Sequence, residues 1–167
     1  MAVKGMPAKR LFEWMAAGLT ASGGEGGDKL KVAREMAYPS HPEHYALPPY
    51  PGVNETLGGQ PTRVHVIPTG DLPPFVQAAV DPSYEIRSPS RVELDDGTVF
   101  GWILHQFRDS GNDCEGILRV WWPAEAPEVF FEEHAQHFSV EFRALFLLGA
   151  QALEKGDSSP QPTATAP

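Results

Sequence analysis

The stretch 91–122 constrains the fold more than any other part of the chain. Arg91-Val92-Glu93-Leu94 alternates apolar and polar residues, Asp96-Gly97 is a favoured type I′ turn pair, and Thr98 to Phe107 resumes as a strand. Asp109-Ser110-Gly111-Asn112-Asp113 is a second turn cluster, after which Cys114 to Trp122 reads as a third strand. The pattern is an antiparallel meander ended by Pro123 and Pro127. A second turn centred on Ser110-Gly111 pairs Phe107 with Cys114, Ile103 with Leu118 and His105 with Gly116. One face then carries Ile103, His105, Phe107, Cys114, Leu118, Val120 and Trp122. The other carries Trp102, Leu104, Ile117 and Trp121 beside Gln106, Glu115 and Arg119. Both faces are substantially apolar, which a sheet covered on one side does not need.

The flanking segments suggest what covers them. Arg63-Val64-His65-Val66-Ile67 alternates and is rich in β-branched residues, so a further strand is expected there, stopped by Pro68. Phe75 to Val80 suits one or two helical turns, and Tyr84 to Arg87 a short extended piece. In the last segment Phe138, Phe142, Leu145/Phe146, Gly149 and Leu153 fit a helical stripe. Ser139 is placed to cap its start and Gly156 to end it. About sixteen residues is too long for an ordinary strand, so a helix is expected. The fold class expected is α+β: the three-stranded meander 91–122 and the strand near 63–67, packed on a C-terminal helix, with an N-terminal helical arm. The meander also resembles that of a small SH3-like barrel, a likeness of pattern alone.

Four segments follow. Residues 1–37 form the arm: an amphipathic helix over 9–20 with Leu11, Trp14, Met15, Gly18 and Leu19 on one face, a Gly-rich hinge, and a second helix over 29–37 capped by Asp28. Residues 38–61 carry prolines at 39, 42, 48, 49, 51 and 61 interleaved with Tyr38, Tyr45 and Tyr50. They read as a linker or as an extended strap packing on the body. Residues 62–155 form the core domain, and 156–167, without large side chains, a disordered tail.

Charge and composition exclude several functions. With 13 Lys and Arg against 22 Asp and Glu the formal charge is −9, which disfavours nucleic acid as a partner. No apolar run approaches a membrane span, and Cys114, the single cysteine, excludes an intrachain disulfide. The N-terminus superficially suggests export, but Glu13 interrupts its apolar stretch and no clear cleavage pattern follows, so a cytoplasmic location is expected.

Candidate chemistry is sparse. His41/His44 and His134/His137 have His-x-x-His spacing; on a helix the second pair shares one side, with Glu133 nearby, so these four are the candidate metal ligands. Cys114 and His105 fall on one sheet face as diagonal neighbours, the pairing a thiol nucleophile needs, and are the candidate catalytic residues. Solvent-facing or capping histidines and a buried structural cysteine are the ordinary readings of the two sets. No phosphate loop, nucleophile elbow or dinucleotide fingerprint is present, and no cofactor is expected.

The expected function is therefore a non-catalytic interaction or assembly subunit whose partner is another protein or a second copy. Leu11, Trp14, Met15, Trp102 and Trp121 are its expected contact residues. The alternatives are a small His-ligated metal hydrolase or Cys/His hydrolase, and an acidic inhibitor of a nucleic-acid enzyme.

Overall fold

A computed structural model describes residues 1–23, 45–47 and 52–155. Its centre is a single antiparallel sheet of seven strands: β1 (Ala2–Val3), β2 (Tyr45–Leu47), β3 (Gly52–Leu57), β4 (Gln60–Pro68), β5 (Ile86–Glu93), β6 (Val99–Ser110) and β7 (Asp113–Trp121). The spatial order is β1-β7-β6-β5-β4-β3-β2, so β2 to β7 are one continuous meander and β1 adds to the free edge of β7. Three helices accompany it among the described residues: α1 (Ala8–Gly23), α2 (Pro74–Gln77) and α3 (Glu128–Glu154). The α+β class is the one expected; the sheet is larger than expected, and open rather than a barrel.

The extra strands arise where prolines obscured the pattern. β2 and β3 lie in the segment read as a strap or linker, and the three prolines 48, 49 and 51 fall between them rather than inside either. The proposed helix 29–37 and tail 156–167 lie outside the described residues. Pro89 sits within β5, between β4 and β6, a position that ordinarily excludes proline. Its carbonyl accepts the Thr69 N–H at 3.2 Å on the β4 side, just past the end of β4. The N–H that proline lacks would point to that same side, where the ladder has ended.

Both hairpins differ in detail from expectation. No non-glycine residue among those described has a positive φ, so a type I′ turn, which needs two, cannot stand on Asp96-Gly97. Instead Gly97 donates to the Leu94 carbonyl at 3.0 Å with φ +83°, a type I turn over Leu94–Gly97 closed by a left-handed glycine. The second turn is Gly111-Asn112, with Gly111 at φ +65°, and it pairs Phe107 with Gly116, His105 with Leu118 and Ile103 with Val120. The shift from the expected register is two residues, so every side chain keeps its face.

α3 has 27 residues, about 40 Å at 1.5 Å per residue, and begins well before the expected start. Pro127 stands at its N-cap, and Ser139, read as the cap, lies mid-helix with its hydroxyl donating to the Ala135 carbonyl at 2.8 Å. His134 bridges distant strands of the sheet: its ring lies 4.8 Å from that of Trp122, after β7, and its Nδ1 is 4.0 Å from Glu55 on β3. A flat sheet would separate those strands by about 19 Å, four spacings of 4.8 Å, so the sheet folds around the helix.

α1 is part of the body and not a detachable arm. Leu11, Trp14 and Met15 are buried with Met6, Phe107, Phe142 and Phe146. Gly149 lets α1 and α3 approach: a Cβ there would stand 2.7 Å from Leu11 and 2.9 Å from Trp14. The β6–β7 hairpin caps this end. Asp109 accepts the Ala8 N–H at 2.6 Å, placing a carboxylate where α1 exposes an unpaired donor, and Asp113 accepts the Gly5 N–H just before the helix at 2.8 Å.

The outer face of the sheet is covered by residues 69–85, the connection containing α2. Leu104 and Gln106 are fully buried under it, and the Gln106 amide bonds both the N–H and the carbonyl of Asp81, at 3.2 and 2.9 Å. Both apolar faces are thus occupied within the chain, over much of their extent.

Candidate functional site

The inner face is not completely filled. Between α3 and the β7–β1 edge lies a partly open cavity of about 960 Å³. Leu118 and Val120 of β7 form one wall, and Phe138, Phe142 and Phe146 of α3 the other. These positions follow from local structure: residues two apart on β7 share a face, and residues four apart on α3 lie above one another. Phe131 and Leu147, 39 % and 48 % exposed, border the opening, so the apolar lining reaches the surface. Lys4, His134, Ser139, Arg143, Gln151 and Glu154 supply the polar part of the lining. Lys4 is paired with Asp113 at 2.7 Å, whereas Arg143 is exposed and has no carboxylate on it among the described residues.

His134 belongs both to this cavity and to a polar cluster beneath the sheet. The rings of Phe130, His134 and His137 are stacked along α3, the histidines 5.5 Å apart and within 8° of parallel. Glu55 approaches His134 Nδ1 and His137 Nε2 at 4.0 Å each, and Glu141 approaches His137 Nε2 at 3.5 Å. All four side chains are at most 13 % exposed, so charge contacts here are screened less than at the surface. The two Glu55 separations are those of charge contacts and not of hydrogen bonds. Helical spacing in the sequence brings His134 and His137 together; Glu55 is contributed by a strand that the prolines concealed.

Of the two proposed constellations, Cys114 and His105 are not brought together, and the four-histidine set is described only at His134 and His137. Among the described residues, no three His, Cys, Asp or Glu side chains converge as metal ligands, and His41 and His44 lie outside those residues. In the observed register Cys114 stands opposite Asp109, and His105 opposite Leu118. His105 and Cys114 are therefore about four residues apart along the ladder, roughly 13 Å, and not diagonal neighbours. Burial and the nearby Asp109 carboxylate push the Cys114 thiol up to about 11, away from the thiolate a nucleophile requires. Burial holds His105 down at about 4, so its ring, wedged edge-on against Phe138 and Phe142, is neutral near pH 7.

Of the expected contact residues, Leu11, Trp14 and Met15 are core and offer no free surface, because α1 docks on α3. Trp102 and Trp121 are cross-strand partners on the outer face and only half-buried. The exposed Phe75 of α2 meets Trp121 edge-on at 6.1 Å. Several carboxylates of the sheet and its turns have partners: Asp95 meets Arg63 and the His65 ring, Glu93 meets Arg91, and Glu115 meets Arg108. The Arg63 and His65 contacts hold Asp95 down at about 2. These pairs break up the bare anionic face that mimicry of a nucleic acid needs. No helix among the described residues is long and apolar enough to cross a membrane.

Comparison with protein-family models, with curated proteins and with solved structures finds no match to this chain.

Proposed function

We propose that this protein is a non-catalytic binding protein that holds a small, largely apolar molecule between α3 and the β7–β1 edge. The observation that carries the reading is the cavity itself. Its volume of about 960 Å³ lies within the range of roughly 300–1,000 Å³ typical of small-molecule sites. Its walls are aliphatic and aromatic side chains fixed on a strand and a long helix. Among the described residues this apolar space, open on one side, is left unfilled, whereas protein interiors are close-packed.

Ala135 lies on the exposed side of α3 and lines the cavity, so a large side chain there occupies the space without disturbing the core. Nile red, a neutral apolar dye, is expected to bind with a fluorescence gain that Ala135→Trp reduces by about tenfold in affinity. Failure of the dye to bind, or undiminished binding in a folded Ala135→Trp variant, overturns the reading.

A second reading rests on the outer face. Phe75, Trp102 and Trp121 form a compact aromatic group of the kind that anchors protein contacts, with Phe75 51 % exposed. Docking of another protein or of a second copy at that group retains the interaction role, confined to residues that stay accessible.

A further inference from the structure

The lining of the cavity also bears on the class of ligand, an inference that rests on reading the cavity as the binding site. The wall residues Leu118, Val120, Phe138, Phe142 and Phe146 carry no charge. Three charged side chains line the cavity: Lys4, Arg143 and Glu154. Asp113 neutralises Lys4 at 2.7 Å. Glu154 follows Arg143 by eleven residues on one helix, about 16 Å along its axis and beyond the screening length of roughly 8 Å at physiological salt. Arg143 is thus a positive charge facing apolar space with no carboxylate on it among the described residues, on a chain whose formal charge is −9. Its neighbours one helical turn away, Ser139 and Leu147, also line the cavity, so Arg143 lies on the helix face that borders the apolar wall.

We infer that the ligand is a monoanionic amphiphile, a medium- or long-chain carboxylate, with its head on Arg143 and its chain along Phe138, Phe142 and Phe146. A guanidinium fork matches a carboxylate with two parallel hydrogen bonds. Among the side chains that line the cavity, Arg143 is the cation with no carboxylate on it among the described residues, which suits a ligand with one negative charge; the Met1 ammonium, also at the lining, donates to the Gly116 carbonyl at 2.9 Å.

The test compares dodecanoate with 1-dodecanol, which share a chain and differ in the charge of the head, by calorimetric titration of the full-length protein and of Arg143→Gln at neutral pH. Dodecanoate is expected to bind about tenfold tighter than dodecanol, the preference vanishing in Arg143→Gln while dodecanol affinity stays unchanged. Arg143 is exposed, so the variant keeps its fold, which circular dichroism verifies. Equal binding of the two, or a preference that survives Arg143→Gln, overturns this inference and leaves the cavity reading standing. Binding of neither overturns both.

Discussion

His105 lies between the sheet and α3 among aromatic rings, its Nδ1 buried and without a hydrogen-bond partner among the described residues. Its folded-state value of about 4 lies below the ordinary 6.5 because burial disfavours the charged ring. Between those values the unfolded chain binds a proton that the folded chain refuses. Stability therefore falls as pH drops through that window and levels off below it. The loss amounts to about 3 kcal/mol. Urea unfolding across this range is expected to show the decline in the native protein and a flatter profile in His105→Leu; parallel profiles would contradict the account. At this scale alternation alone assigned His105 and Cys114 to the inner face. The separation that disqualifies them as a pair depends on which residues occupy the turn, and neighbouring Ser, Gly and Asn all suit one.

α1 and α3 show how an element acquires its role. Leu11, Trp14 and Met15 recur at helical spacing, and that pattern is the same whether the apolar stripe meets a partner or the chain's own core. Gly149, 135 residues beyond Trp14, makes the choice by leaving room for the indole, and nothing local to α1 records it. Trp14→Ala is expected to cost about 3–5 kcal/mol as a core truncation, lowering the melting temperature by roughly 10 °C in calorimetry. An exposed arm residue would change stability by no more than about 0.5 kcal/mol. α3 was legible only in its C-terminal half, where residues 141–155 are mostly strong helix formers. Its first turns carry Phe130, Phe131, His134 and His137, which propensity ranks lower and which the packing of Trp122 and Glu55 holds in place.

For the molecule as a whole, the coverage of the sheet decides which surfaces remain for partners. Residues 69–85 cover Leu104 and Gln106 but leave Phe75, Trp102 and Trp121 at the margin. If this group docks a second copy, sedimentation velocity will show a concentration-dependent dimer that Phe75→Ser abolishes. A monomer at all concentrations removes self-association from the second reading. The sequence by itself determined the antiparallel meander, the face each of its side chains takes and the presence of a C-terminal helix, because alternation, turn chemistry and helical propensity are local. Tertiary structure alone decided that β1, β2 and β3 extend the sheet, that the sheet folds around α3, that α1 is core, and that a cavity with Arg143 at its side remains. Those outcomes depend on contacts between residues far apart in the chain, where one apolar stripe has several possible partners and only the complete packing selects among them.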